Sequence, residues 1–313
     1  MFFNMFKPKQ LTILLALSGT LVSHVVFADE HKEHDQQASY PVMAVPLQST
    51  LDQEIEIAKL NKLLLRSDIN DELKAKAYYQ RARYYESVGL KDLARIDFGE
   101  SLSINPRQPL IYNHLGVYFT QSGEFDAAYE AFDSTIDLDP SNQDALYNRA
   151  IALYYGGRYQ LALEDIELYS NNNPKDPYSA IWYYLIESKT NKETAKQRLA
   201  HCYEANSGNW GWVIAGILLG EVSEEQALAY AMQGNGNNVA MAQRLTEVYF
   251  YLGKHKIAQQ EYSEALSLYK LAISLNVFDY VEHGFSFLEL QNIYQEFQKA
   301  RKSGNTDKFV KIQ

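Results

Sequence analysis

Residues Tyr112 to Pro140 read YNHLGVYFTQSGEFDAAYEAFDSTIDLDP, and this stretch decides the fold. Tyr112, Leu115, Gly116 and Phe119 follow i, i+3, i+4, i+7 spacing, so they share one face of a helix. Gly123 breaks that pattern, and a second helix begins that carries Ala127, Ala128, Ala131 and Phe132. Pro140 closes the unit, because proline cannot continue a helix interior. Gly116 and Ala128 have almost no side chain, so the two helices are expected to approach closely where they cross, with Tyr112, Phe119 and Phe132 filling the space around the contact.

One such unit cannot bury its own apolar face, so it must recur. Pro106, Pro140 and Pro174 stand 34 residues apart. The preceding unit carries Tyr78, Ala82, Tyr85, Gly89, Ala94 and Phe98 at the matching offsets, and the following one Leu146, Ala150, Leu153, Gly157, Ala162 and Ile166. Farther on, Tyr249, Leu252, Gly253, Ala265, Tyr269 and Ala272 repeat the offsets, with Val277 in place of the proline. The period and the residue types resemble the tetratricopeptide repeat (TPR). The expectation is an all-α chain: a TPR helical-repeat solenoid with extra N-terminal and C-terminal helices.

Composition narrows the function. The net charge of −10 falls on a chain with no Lys/Arg cluster, so nucleic acid is not an expected partner. The 24 tyrosines suit helix packing and surfaces that grip peptides. Cys202 is the single cysteine, so no intramolecular disulfide can form.

In chain order, residues 1–28 read as an export signal: Lys7 and Lys9, the apolar run from Leu11 to Leu17, and Val26-Phe27-Ala28 as a cleavage site. The rival is an uncleaved anchor. Leu11 to Ala28 includes Ser18, Gly19, Thr20, Ser23 and His24, marginal for spanning a bilayer. Cleavage would remove two lysines and leave a net charge of −12. Residues 29–44 read as a disordered linker; DEHKEHD within it offers His31, His34 and carboxylates, but nothing fixes a ligand geometry, and no metal is assigned. Residues 45–74 form an N-terminal helical region opened by a capping box at Ser49 or Thr50 with Gln53 or Glu54. Its face of Ile55, Ala58, Leu60, Leu63 and Leu64 either caps the first repeat or pairs with a second molecule. Residues 75–176 hold three repeats, 177–245 a divergent helical region, 246–298 a TPR-like repeat and closing helix, and 299–313 a flexible tail. Within the divergent region, Trp210 and Trp212 beside Gly208 and Gly211 read as a rigid corner rather than an exposed platform.

Catalytic motifs are missing: no G-x-S-x-G, H-E-x-x-H, phosphate-binding glycine loop or C-x-x-C occurs. His201 and Cys202 are neighbours, and neighbours on a helix point about 100° apart, which suits no thiol nucleophile. His114 and His283 read as core or edge histidines. No catalytic residue, cofactor or metal is assigned. Repeat solenoids instead use a concave groove lined by each repeat's first helix. Counting offsets, the inward positions are Lys76, Tyr79, Arg83 and Glu86, then Asn113, Val117 and Gln121, then Tyr147, Asn148, Ile151, Tyr154 and Tyr155. This mixture suits an extended peptide or a partner's helix, and it lacks the paired Lys/Arg of a carboxylate clamp.

Several stretches are more specific than generic repeats. VPLQSTLDQEIEIAKLN, GEFDAAYEAFDSTIDLDP, ALYYGGR, NWGW, FYLGK and NVFDYVEHGFSFLEL resemble the NlpI family of TPR lipoproteins, over about Val45 to Leu290. The resemblance implies a periplasm-facing homodimer that binds a tail-specific (Prc-type) protease and presents murein endopeptidases to it, scaffolding peptidoglycan hydrolases without catalysis of its own. That family is anchored through a cysteine after Leu-x-Gly. Here Leu17-Ser18-Gly19 is followed by Thr20, which forms no thioether, so a soluble periplasmic protein cleaved near Ala28 is expected. The alternatives are an envelope hydrolase using His201 or His283 with nearby carboxylates, or a general assembly factor with a TPR groove.

Overall fold

The computed structural model describes residues 41–205, 208–233, 236–304 and 309 of the chain. The export signal, DEHKEHD and the linker up to residue 40, parts of the turns before Trp210 and Asn238, and most of the tail lie outside the described residues. The described residues form fourteen α-helices and no strand. α1 (Leu51–Leu64) precedes three helix hairpins: α2–α3 (Asp71–Ser87, Lys91–Ile104), α4–α5 (Pro109–Ser122, Phe125–Leu138) and α6–α7 (Gln143–Tyr155, Tyr159–Asn172). Then come α8 (Pro177–Glu187), α9 (Lys192–Glu204), α10 (Trp210–Leu219) and α11 (Glu224–Met232). α12 (Asn238–Ala258) and α13 (Tyr262–Ser274) form another hairpin, and α14 (Val281–Ser303) closes the chain. Within Val42–Gln313 each hairpin packs on its successor, and α14 turns back against α12, α13 and α4.

Sequence dictates the hairpin geometry at three points. A Cβ on Gly116 would come within 2.5 Å of the Phe132 ring, so only glycine lets α4 and α5 cross there. Gly89, Gly123 and Gly157, one period apart, each have φ near +80°, the left-handed conformation that ends the first helix of a hairpin. Polar pairs add a third constraint. Arg81 donates two hydrogen bonds to Asp97, at 2.6 and 2.7 Å, and Arg149 donates two to Asp165, at 2.7 and 2.8 Å. Both aspartates are buried, and a bidentate guanidinium is the partner that makes such burial tolerable. In the middle repeat the corresponding positions are Leu115 and Ala131, so an apolar contact replaces the fork.

The expected fourth unit is present in α12–α13. A Cβ on Gly253 would meet the Tyr269 ring at 2.6 Å, repeating the Gly116–Phe132 contact. The turn differs: Gln260 takes the left-handed position at φ 63° where the three regular repeats place glycine. Trp210 opens α10 and Trp212 is buried, which agrees with a corner.

Other regions depart from the sequence reading. On α1, Thr50 and Gln53 form the capping box and Leu60 is buried, but Ile55 and Ala58 are exposed, because α1 packs chiefly on α2. The end of the linker and the residue after it are pinned: Tyr249 Oη donates to the Val42 carbonyl, Ala44 is buried, and Asn238 accepts from the Val45 N–H and donates to its carbonyl, both at 2.8 Å. α14 runs to Ser303, and Phe309 is buried against Tyr262 and Phe297, so the tail is partly tied down by aromatic packing.

Candidate partner-binding face

The first helices α2, α4 and α6 carry all twelve inward positions, and the structure separates them into an open end and a closed end. At the open end Lys76 and Arg83 are exposed, and Tyr79 is half-buried beside Phe98. His114 lies between Arg83 and Glu86, with Nε2 at 2.6 Å from Arg83 Nη1 and Nδ1 at 3.2 Å from Glu86. Farther along, Asn148 donates to Asn113 Oδ1 at 3.1 Å, joining the second and third repeats, and Val117 is half-buried.

At the closed end α14 occupies the concave face. Gly284 sits so close to Gln121 that a Cβ would come within 2.3 Å of its amide carbon. Tyr155 Oη donates to Glu289 at 2.8 Å, and its ring lies 5.3 Å from that of Phe285. The Tyr147 ring lies tilted against that of Tyr169, with centroids 4.8 Å apart. Ile151 and Tyr154 are 1% and 7% exposed and belong to the chain's own core, so they are withdrawn from the surface a partner could touch. Helical offsets point them inward, but Tyr154 meets Trp182 of α8 and Lys254 of α12, and its neighbour Tyr155 meets α14, all of them later in the chain.

The residues that fix α14 escaped the sequence reading. Lys254 Nζ donates to Glu289 Oε1 at 2.5 Å and to Tyr154 Oη at 3.0 Å, and both charged side chains are almost fully buried. The Tyr154 and Tyr155 rings stand 4.7 and 4.9 Å from the ammonium. Burial opposes the lysine's charge, but Glu289 and Tyr154 outweigh it and hold the ammonium above its ordinary range. One signal was present: Glu289 follows Phe285 by four residues and precedes Ile293 by four, a carboxylate on an apolar face.

A second buried acidic group lies between α8, α10, α12 and α14. Tyr178 Oη and Trp210 Nε1 each donate to Glu247 at 2.5 Å, and Tyr251 Oη donates to Glu282 at 3.2 Å. Burial first, and the neighbouring Glu247 second, push Glu282 up to about 8. Of the candidate catalytic groups, His201 is exposed and Cys202 is half-buried, its thiol raised by burial. His283 is buried between the Phe278 and Phe287 rings; burial and then Lys91 lower it to about 4.

An all-α array of helix hairpins with a concave face, part open and part filled by its own last helix, defines a helical-repeat protein. Residues 75–108 and 114–177 match the tetratricopeptide repeat family, so the chain carries tetratricopeptide repeats. A tetratricopeptide repeat protein from Parabacteroides merdae is similar in structure, with a TM-score of 0.52 at 18% identity, over 78% of this chain and 93% of that one. The C-terminal part of a TPR repeat-containing protein from Cytophaga hutchinsonii gives 0.45 at 15% identity, over 72% and 90%. PilF of Pseudomonas aeruginosa gives 0.42 at 20% identity, over 73% and 98%. The first likeness bears on the fold alone. Tetratricopeptide repeats are scaffolds for protein–protein interaction, and that is the class of function this chain has.

Proposed function

We propose that this chain is a non-catalytic adaptor of the cell envelope that binds a tail-specific protease and presents murein endopeptidases to it, so limiting peptidoglycan cleavage. The observation that carries the reading is the set of six stretches from Val45 to Leu290 that resemble the NlpI family, laid over tandem repeats. Support comes from the open end of the concave face, where Lys76, Tyr79 and Arg83 are reachable. Further support comes from α1 and the residue that caps it, where Leu51 is 71% and Leu65 87% exposed, apolar surface suited to a second copy of the chain. The protein acts in the periplasm after cleavage near Ala28, without a lipid anchor.

The test is degradation of a purified murein endopeptidase by the tail-specific protease, with and without this protein. Faster degradation only in its presence is expected. Equal rates with the folded protein present would sink the adaptor reading. Incubation with murein alone should leave the polymer intact; its cleavage would favour an enzyme instead. Mass spectrometry of the exported protein should give an N terminus at Asp29, and a diacylglycerol adduct would refute the soluble form.

A further inference from the structure

Beyond the repeats, the structure forms a half-open cavity of about 590 Å³ between the α8–α9 turn, the end of α12 and the outer half of α14. Its floor is the buried Lys254–Glu289 pair, and Tyr154, Tyr159 and Tyr184 wall it. Lys189 and Lys192 stand at the rim, both exposed, and no carboxylate lies within ion-pair distance of either among the described residues. Lys189 Nζ is 5.3 Å from the centre of the Tyr154 ring. Lys299 also lines the cavity and is paired with Glu296 at 2.7 Å. The lining therefore carries four lysines against two glutamates, on a chain whose net charge is −10.

Helix electrostatics explain only one of the two rim lysines. Lys189 follows α8, where a cation complements the carbonyl end of the helix. Lys192, however, is the first residue of α9, where the helix dipole disfavours a cation. Burial, then Lys256, with Lys192 adding to it, also holds His255 on the cavity wall below its ordinary value. Asn292, Gln295 and Ser188 supply neutral hydrogen-bonding groups beside the tyrosines.

We infer that this cavity is a docking site for a short acidic peptide segment, whose carboxylates meet Lys189 and Lys192 while its backbone lies along the tyrosine wall and α14. Aspartate and glutamate side chains match the excess positive charge, and tyrosine and amide side chains satisfy a peptide backbone where a bare anion would leave them unused. The inference goes beyond the adaptor reading and does not depend on which partners the open end holds.

Fluorescence anisotropy on the full chain tests it, with fluorescein-labelled hexaglutamate and hexaglutamine as probes. Hexaglutamate is expected to saturate and to bind about tenfold tighter or better than hexaglutamine at moderate salt. The double variant Lys189→Glu/Lys192→Glu, at two exposed positions, should lose about tenfold in affinity with an unchanged melting curve. Lys62→Glu/Lys270→Glu, which makes the same charge change at exposed positions outside the cavity, should change affinity by about threefold or less. Equal affinity for the two peptides would overturn the inference, and so would equal losses in the two double variants. Displacement of hexaglutamate by inorganic triphosphate at matched charge would mark a general anion site and overturn the peptide assignment. None of these results touches the protease assay, so the two readings fail separately.

Discussion

The regular repeats and the C-terminal region bury acidic side chains in different ways. In the first and third repeats, Asp97 and Asp165 are each held by an arginine fork from the neighbouring helix. In the C-terminal region, Glu289 meets a single lysine inside an aromatic box, while Glu247 and Glu282 have tyrosine and tryptophan donors in place of a cation. A fork repeats with the period because both residues belong to one hairpin. The C-terminal acids join helices far apart in sequence: Glu247 ties α12 to α8 and α10, while Glu282 and Glu289 seat α14.

The sharpest way to break this contrast is Glu289→Ala. Leaving Lys254 buried without its carboxylate should cost about 3–5 kcal/mol, read by chemical denaturation. The double variant Lys254→Met/Glu289→Leu should recover most of that loss. A single variant as stable as the parent would mean the pair does not hold α14.

Overpacking comes next. Gly116→Leu and Gly253→Leu should each destabilise by about 2–3 kcal/mol, since both glycines meet an aromatic ring on the facing helix. A harmless change at Gly253 alone would show that the fourth unit is looser than the regular repeats.

The acids also predict a pH dependence. Glu282 has a raised folded pKa of about 8, so its contribution is fully present below its unfolded value and is lost as pH rises toward 8. Stability should fall by about 1 kcal/mol per pH unit through that window from this group. Glu282→Gln should flatten the slope, and an unchanged slope would place the titration elsewhere.

The smallest effect concerns the turn. Gln260→Gly should stabilise by about 1 kcal/mol, because glycine takes a positive φ without the Cβ clash. A lower melting temperature would mean that the glutamine side chain contributes more than the strain removes.

Much of this was legible in the sequence, and the reason is periodicity. The Gly116–Phe132 contact and its counterpart Gly253–Tyr269 both span 16 residues, so local spacing alone placed them. Thr50 and Gln53 announced the start of α1 by their own chemistry. The candidate face was only half legible. Offsets within a repeat say that Tyr154 and Tyr155 point inward, but not that α8, α12 and α14 meet them there. That depends on Gly284 allowing contact with Gln121 and on Lys254 meeting Glu289, 35 residues away. The lysines of the α8–α9 turn went unremarked for the same reason, since they meet α12 and α14 only in the folded chain.

Thiol accessibility tests the open and closed ends most directly. In a Cys202→Ser background, cysteine would be placed singly at Arg83 and at Ile151, and its reaction with an aromatic disulfide reagent timed in the native protein. Cysteine at position 83 should react at the rate of an exposed thiol, and at position 151 only as fast as the protein opens, at least about a hundredfold slower. Equal fast rates in two folded variants would mean that the inner face of the third repeat is open, and the division of the concave face would fall.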